Sequence, residues 1–162
     1  MKVDLSNKVA IITGSAGGIG RGMALMFAQN GATVVISDVN ESGGRNVVQE
    51  IEDQGGQAFF IQTNVGDRAQ ADALAEEALA RFGKIDILIN NAGINVGMHQ
   101  RGPIHEFPDE MWDKILNVDL DGVYYCSKAV LKSMTQRQYG KIINIASIVG
   151  AVPLRNQCAF AA

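Results

Sequence analysis

The sequence predicts an α/β protein, a doubly wound parallel sheet with helices on both faces. Two observations predict this class. Five short apolar runs of strand length alternate with longer stretches of helical spacing, and this alternation is typical of parallel sheets joined by crossover helices. The apolar runs are also nearly continuous, as expected of strands buried on both faces. The length of 162 residues favours one domain, expected to cover 1–162.

The first two strand–helix units are marked by a switch from apolar runs to helical spacing. Residues 8–13 form a strand-length run that ends in glycines, and the helix after it ends at Gly31, a good helix terminator. Residues 32–37 are β-branched and predict the second strand, and the second helix ends at Gly55. The apolar residues at helical spacing in these two helices are Ile19, Met23, Met26, Phe27, Val47, Val48 and Ile51.

The third unit carries signals at both ends of its helix. Residues 57–62 predict a strand, Asp67 is a good N-cap, and Gly83 closes the helix. Residues 85–90 predict the fourth strand. Every fourth residue of the helix between these strands is apolar, namely Leu74, Ala78 and Phe82.

The last unit contains the longest helical region. A loop runs to about Phe107, and a helix can begin at Pro108 because proline suits the first helical turn. Helical spacing continues to about Arg137, with a break expected near Asn117. Residues 141–147 predict the fifth strand.

Composition excludes several classes of protein. The 14 Lys and Arg are outnumbered by 17 Asp and Glu, which argues against a nucleic-acid-binding protein. The sequence contains no run of about 18 apolar residues, so we expect no membrane span. Residues 1–10 also lack the apolar core of a signal peptide. Cys126 and Cys158 form no disulfide or zinc pattern. We therefore expect a cytoplasmic protein without a metal site.

A glycine-rich segment joins the first predicted strand to the first helix. Glycines there allow a sharp turn and close approach of the backbone to a pyrophosphate, and the helix N-terminus offers unpaired N–H groups. Ala16 breaks the G-x-G-x-x-G spacing, so a flexible glycine-rich turn remains an alternative. The candidate phosphate-binding residues are Gly14, Ser15, Gly18, Ile19 and Gly20.

An acidic residue, Asp38, follows the second predicted strand. A carboxylate there can accept hydrogen bonds from a ribose 2′-hydroxyl and would repel a 2′-phosphate. Val39 and Asn40 come next, so no cation is present to hold a 2′-phosphate. This pattern favours NAD over NADP. The alternative is an Asp that caps the next helix.

Asn90-Asn91-Ala92-Gly93, after the fourth predicted strand, makes the resemblance specific: the chain resembles the short-chain dehydrogenase/reductase family, and so a Rossmann-type domain. The glycine spacing fits the shorter branch, through Gly14, Gly18 and Gly20, or the longer, epimerase-like branch, through Gly14, Gly17 and Gly20. The Asn-Asn-Ala-Gly motif resembles the shorter branch alone. Asn117 and Ser147 resemble the active-site asparagine and serine of the family.

The resemblance implies NAD-dependent hydride transfer between a nicotinamide and a secondary alcohol or ketone, in a homo-oligomer when the parent protein is full-length. Ser147 would polarise the oxygen of the small-molecule substrate, with Asn117 supporting. Asn64 stands where the family usually has Asp, a mild departure. Besides the glycine-loop residues, the implied cofactor-binding residues are Asp38, Val39, Asn64, Val65, Asn91, Ala92 and Gly93.

The catalytic acid/base of the family is a tyrosine with a lysine four residues later. Phe160 stands at the tyrosine position, and the lysine position falls past Ala162. Tyr124 and Lys128 share the spacing but precede Ser147, so we expect them to have a packing or surface role. Since a positioned acid/base contributes roughly 10²–10⁴-fold, we expect negligible turnover.

This departure leaves two alternatives to an enzyme: an NAD-binding pseudoenzyme, or a structural fragment without a ligand. By the resemblance, further C-terminal strands and helices are missing, so the fifth strand would be an exposed edge and the chain marginally stable or self-associating. His99 and His105 lie in the loop 94–107, where we expect them to be ordinary loop residues.

Overall fold

The computed structural model describes residues 3–97 and 100–162, which form five parallel strands in a single sheet of order β3-β2-β1-β4-β5. The order reverses between β1 and β4, which confirms the predicted doubly wound class. The strands are β1 Val9–Thr13, β2 Thr33–Asp38, β3 Gln57–Gln62, β4 Ile87–Asn90 and β5 Lys141–Asn144. The helices are α1 Gly18–Gln29, α2 Glu41–Asp53, α3 Arg68–Phe82, α4 Asp109–Leu116, α5 Gly122–Gln136 and α6 Cys158–Ala161.

Successive residues of β1 point to opposite faces of the sheet and enter two separate cores. Ile11 lies opposite both Val35 and Leu88, and all three belong to a cluster that α3 and α5 cover. Ile12 and Ile36 belong to a second cluster on the other face, covered by α1 and α2. Burial on both faces explains why the strands are continuously apolar in sequence.

The buried face of α1 differs from the apolar spacing in the sequence. Gly20, Ala24 and Ala28 are its buried residues, whereas Ile19 is 70% exposed and Met26 is 64% exposed. Small side chains let the helix approach the sheet closely, while the half-buried Met23 and Phe27 pack against the same cluster. The helix was therefore predicted correctly, and its packing face in part.

The helix α3 begins and ends as predicted. The Asp67 carboxylate accepts hydrogen bonds from the backbone N–H groups of Ala69 and Gln70, at 2.9 and 3.3 Å between N and O. Gly83 closes the helix with a φ of +72°, in the left-handed region that glycine enters most readily.

The break expected near Asn117 is a π-helical turn instead of an interruption. Residues Asn117–Asp121 form this turn between α4 and α5, and its flanking residues keep helical backbone angles. A 3₁₀ turn at Ile104–Glu106, which the sequence did not predict, precedes Pro108 and α4. Turns of π type often mark functional positions in helices.

Three strands are shorter than predicted, and the first of them, β1, begins at Val9, not at residue 8. The strand β4 begins at Ile87, not at residue 85. The strand β5 ends at Asn144, and Ser147, expected at the end of this strand, caps the 3₁₀ turn Ile148–Gly150 instead. The structure places β5 at one edge of the sheet, with Ile143 44% exposed. Within residues 3–97 and 100–162, no helix has the length and apolar character needed to cross a membrane.

Candidate functional site

The loop after β1 is held against the loop after β4 by two polar side chains. The Thr13 hydroxyl accepts hydrogen bonds from the backbone N–H groups of Asn91 and Ala92, both at 3.0 Å. The Asn91 side-chain amide donates to the carbonyls of Thr13 and Gly14, at 2.9 and 3.0 Å. These bonds fix the two loops as one wall at the carboxyl edge of the sheet, where doubly wound proteins bind ligands.

Glycine is required at two positions of this wall. A Cβ on Gly14 would lie 2.7 Å from the Cα of Ala92, and Gly14 also has a φ of +63°. A Cβ on Gly20 would collide with the carbonyl oxygen of Gly14. Glycine is therefore needed at both positions because a side chain would collide with the neighbouring backbone. This close packing argues against the alternative of a flexible glycine-rich turn.

Ser15 holds the glycine loop from behind. This residue is fully buried, and its hydroxyl donates to the carbonyl of Ile12 at 2.6 Å and accepts from the N–H of Ser37 at 3.1 Å. The Ser15 side chain thus links β1 to β2. The backbone N–H groups in the first turn of α1 have no partner within the helix and remain available to a ligand.

Asp38 ends β2 beside the glycine loop. Its Oδ2 atom accepts from the N–H of Ala16 and its Oδ1 atom from the N–H of Asn40, both at 2.9 Å. A carboxylate has about four acceptor positions, so both oxygens can accept further hydrogen bonds. Asp38 does not cap α2: Asn40 does, by accepting from the N–H of Gly43 at 3.0 Å. The capping alternative for Asp38 is therefore wrong.

A cleft of about 770 Å³ opens at this edge of the sheet. Most predicted site residues meet there, and Ser15, Gly18, Ser147 and Phe160 are not among the described residues that line it. The predicted residues that do line it are Gly14, Ile19, Gly20, Asp38, Val39, Asn64, Val65, Asn91, Ala92, Gly93 and Asn117. Those that the sequence did not predict are Gly17, Thr63, Ile94, Lys114 and Val118.

Two asparagines shape the side of the cleft near β3. The Asn64 side chain accepts from the N–H of Gly66 at 3.1 Å. The Asn117 amide donates to the carbonyl of Gly66 at 2.9 Å, so it anchors the π-helical turn to the β3–α3 loop. The catalytic role expected for Asn117 stays a prediction.

Sequence reasoning missed Asp119, two residues further along the π-helical turn. Its Oδ1 atom accepts from the backbone N–H of Ile94 at 2.8 Å, so it supports the wall of the cleft next to Gly93. Burial raises the pKa of the Asp119 carboxyl, and the Ile94 hydrogen bond opposes this only in part. A charged residue between the apolar Val118 and Leu120 was the sequence signal for it.

The two remaining catalytic candidates lie away from the cleft lining. Ser147 is exposed, and its hydroxyl accepts from the N–H of Val149 at 3.2 Å. Phe160 is half-buried on α6, which packs against α4 through Ala159 and Ile115. Their roles therefore stay predictions from the resemblance.

The Tyr–Lys pair on α5 and His105 form no site of their own with other residues that the structure describes. The Lys128 ammonium donates to the Tyr124 hydroxyl at 3.3 Å, at an exposed surface. His105 lies 3.6 Å from the Glu106 carboxylate, also exposed, and His99 lies outside the described residues. In the part of the chain that the structure describes, no three His, Cys, Asp or Glu residues are grouped so as to hold a metal ion.

The donors and acceptors of the cleft fit a dinucleotide. Asp38 can accept from ribose hydroxyls, and the start of α1 offers N–H groups and a partial positive charge for a pyrophosphate. Because Gly14 and Gly20 have no side chains, the pyrophosphate of a dinucleotide can approach the backbone of the glycine loop directly.

Known proteins resemble this chain in sequence and in fold. A cis-4-hydroxycyclohexanecarboxylate dehydrogenase of Sinomonas cyclohexanicum is 38% identical over 97% of this chain and 61% of its own length. A 3-oxoacyl-(acyl-carrier-protein) reductase of Thermotoga maritima is 36% identical over 98% and 63%. The crystal structure of an NAD⁺-bound xylitol dehydrogenase superposes with a TM-score of 0.92 at 27% identity, covering 98% of this chain and 60% of that one.

The chain thus spans about three fifths of the length of these relatives. The sequence pattern of the short chain dehydrogenases matches residues 8–162, nearly the whole chain. With the reversed strand order, the packed glycine loop and the Asn-Asn-Ala-Gly wall, this match shows that the chain belongs to the short-chain dehydrogenase/reductase family.

Proposed function

We propose that the chain forms the NAD-binding part of an oxidoreductase that transfers hydride between a nicotinamide and a secondary alcohol or ketone. The observation that carries this proposal is the Asp38 carboxylate, which ends β2 beside the glycine loop with acceptor positions to spare. A 2′-phosphate would meet this negative charge with no cation at Val39 or Asn40, so NAD is favoured over NADP. An NAD⁺-bound structural neighbour supports the same choice.

The strand order supports one orientation of the dinucleotide. Neighbouring strands β2, β1 and β4 end at Asp38, at the glycine loop and at the Asn91–Gly93 segment respectively. With the adenosine ribose at Asp38 and the pyrophosphate at the start of α1, the nicotinamide half falls beside Gly93, the next position along the edge. Asn64 and Val65, near the end of β3, would then lie on the adenine side.

A bound nicotinamide would supply the hydride chemistry, and the protein would orient the ring and handle the hydroxyl proton. By family resemblance Ser147 would hydrogen-bond the substrate oxygen. Phe160, at the tyrosine position, has no proton to exchange. This favours a second candidate function, which is dinucleotide binding without turnover, and we expect alcohol-dependent NADH production to be negligible in this chain.

Calorimetric titration of the 162-residue chain with NADH and NADPH tests the cofactor assignment. We expect saturable binding, with NADH about tenfold tighter than NADPH or more. In Asp38→Asn the two affinities should approach each other, because the charge that repels the 2′-phosphate is gone.

The matched control is Asp53→Asn. The Asp53 carboxylate lies at the end of α2 and accepts from the Gln49 side chain at 2.8 Å, so its loss should leave the ratio unchanged. A chain that binds neither nucleotide, or binds NADPH more tightly, would contradict the proposal. Rapid alcohol-dependent NADH formation would rule out binding without turnover.

A further inference from the structure

A carboxylate lies directly behind the β4 end of the cleft, and nothing in the proposed function uses it. A Cβ placed on Gly93 would lie 3.6 Å from Oδ1 and 3.8 Å from Oδ2 of Asp119. Gly93 itself lines the cleft, so the carboxylate lies next to a residue of the cleft wall.

The negative charge of Asp119 has little compensation. The carboxylate accepts the Ile94 N–H at 2.8 Å, and burial raises its pKa more than this hydrogen bond lowers it. Among the described residues, no ion pair includes Asp119. The wall segment 90–97 that packs against it contains no titratable residue. The charged neighbours on its own helix are Asp121 in the same turn and Lys114, which lines the cleft from α4.

We propose that Asp119 makes the site prefer the oxidised, cationic nicotinamide over the reduced, neutral one. This inference rests on the proposed function, which places the nicotinamide half beside Gly93. The two cofactor forms share their adenosine, pyrophosphate and ribose groups, and they differ by one hydride, whose addition removes the positive charge of the ring. A nearby carboxylate therefore attracts one form and not the other, whereas the remaining contacts bind both alike.

The preference affects the bound species and their release in different ways. A site that holds NAD⁺ more tightly than NADH shifts the equilibrium between bound species toward NAD⁺ and the alcohol, and it lets the reduced cofactor leave more readily. The coupling is reciprocal: bound NAD⁺ should lower the pKa of Asp119, and bound NADH should not.

The test compares the dissociation constants of NAD⁺ and NADH for the wild-type chain and for Asp119→Asn. Asparagine keeps an oxygen for the Ile94 N–H, so the wall stays in place while the charge is lost. We expect the ratio of the NADH constant to the NAD⁺ constant to fall by roughly 3- to 30-fold, the effect of one charge acting over several ångströms in a partly exposed site.

Asp121→Asn is the matched control, because it removes the same charge from the same turn but leaves the Gly93 contact intact. Its ratio should stay within about twofold of wild type, since Asp121 is half-buried and therefore partly screened by solvent, and it is not among the atoms nearest to Gly93. A shift equal to that of Asp119→Asn would overturn the assignment to Asp119.

A pH series gives a second readout. As the pH falls through the raised pKa of Asp119, the wild-type ratio should fall to that of Asp119→Asn, whose own ratio should lack this step. Asp38 and Lys114 also line the cleft, and Asp67 caps α3 nearby, but Asp38 acts on cofactor groups that both forms share. Any effect of these neighbouring charges would appear in Asp119→Asn as well, so the difference between the two chains isolates Asp119.

The outcomes separate the two proposals. An unchanged ratio in Asp119→Asn, with binding intact, overturns this inference and leaves the proposed function standing. Loss of both cofactor forms in Asp119→Asn, with binding in wild type, shows a structural role and overturns it also. A wild-type chain that binds neither form overturns both proposals. Without any cofactor, the Ile94 amide proton shift should follow the Asp119 titration, because the carboxylate accepts this N–H. An Ile94 shift that does not change with pH would contradict the contact on which the inference rests.

Discussion

At the residue scale, the cleft depends on side chains that hold backbone in place. The Thr13 hydroxyl and the Asn91 amide join two loops, and Asp119 supports the second of them. The sequence indicated Asn91 through its motif. It did not indicate Thr13 or Asp119, because their contacts cross 78 and 25 residues of chain, and no local pattern records which distant N–H a side chain will meet.

Asp86 is another residue that holds backbone in place. It directly precedes β4 and so lies at the amino ends of the strands, opposite the cleft. It is 1% exposed, accepts from the N–H of Val9 at 3.0 Å and from the Arg137 guanidinium at 2.6 Å, and lies 3.3 Å from the Lys84 ammonium. Burial would raise the pKa of Asp86, but the Arg137, Val9 and Lys84 contacts outweigh it, and the pKa is lowered from its ordinary value of 3.8.

We expect Asp86→Asn to lower the free energy of unfolding at pH 7 by about 1–3 kcal/mol, because two cations lose their counter-charge and both are partly exposed. Since the folded pKa is depressed, this stabilisation is present above the unfolded pKa near 4 and is lost as the pH falls through the lower folded value. Urea unfolding of both chains from pH 7 to pH 3 should therefore show the gap narrowing in acid.

Asp72→Asn provides the comparison for that series. Asp72 forms an exposed pair with Arg68 at 3.9 Å, so its loss should change stability by less than about 0.5 kcal/mol. A gap for Asp86→Asn that stays constant down to pH 3 would contradict the ion-pair explanation.

At the element scale, strand and helix identity could be predicted, and element ends and packing faces less so. The helix α3 was predicted at both ends because Asp67 and Gly83 are local signals. The end of β5 was not, because Ile145 continues the apolar run past Asn144 while the backbone turns away. The face of α1 was predicted only in part, through Met23 and Phe27, because apolar spacing does not show where small residues let a helix approach a sheet closely.

The helix α2 gives a prediction at this scale. Its first turn contains Gly43 and Gly44, which weaken a helix, and the Phe60 ring leaves no room for a Cβ on Gly44. The helix therefore depends on its cap, where Asn40 accepts from the N–H of Gly43. We expect Asn40→Ala to lower the unfolding free energy by about 1 kcal/mol in chemical denaturation.

Asn40→Asp should restore most of this stability, because aspartate caps as well as asparagine. If alanine and aspartate at this position were equally destabilising, the side-chain cap would not be the cause.

At the scale of the whole molecule, the alternation of strands and helices was enough to predict the doubly wound sheet, and the strand order confirms it. The convergence of strand ends also predicted most of the cleft lining. Ser147 and Phe160, which the sequence also predicted as site residues, are not among the described residues that line the cleft. The segment after β5 forms short turns instead of continuing the strand, so strand ends do not predict its position.

The exposed edge of β5 predicts self-association of the 162-residue chain. An unpaired strand with apolar side chains is a template for another strand, and Ile143 and Ile145 are 44% and 43% exposed there. Sedimentation velocity should show dimers or larger species that Ile143→Lys shifts toward monomer. Val3→Lys, which adds the same charge at another exposed site, should not. A wild-type monomer with a cooperative, high-temperature melting transition would contradict this.

The π-helical turn has a consequence for which changes of length the chain tolerates. Ile115 and Gly122 are seven residues apart and would share a face in a regular α-helix. Across the wider turn, Ile115 instead enters the cluster with Phe107 and Ala159, while Gly122 packs against Val65. The turn lets one unbroken helix serve two cores that lie in different directions. Substitutions within Asn117–Asp121 change single contacts, but deleting one residue would rotate one core out of register with the other.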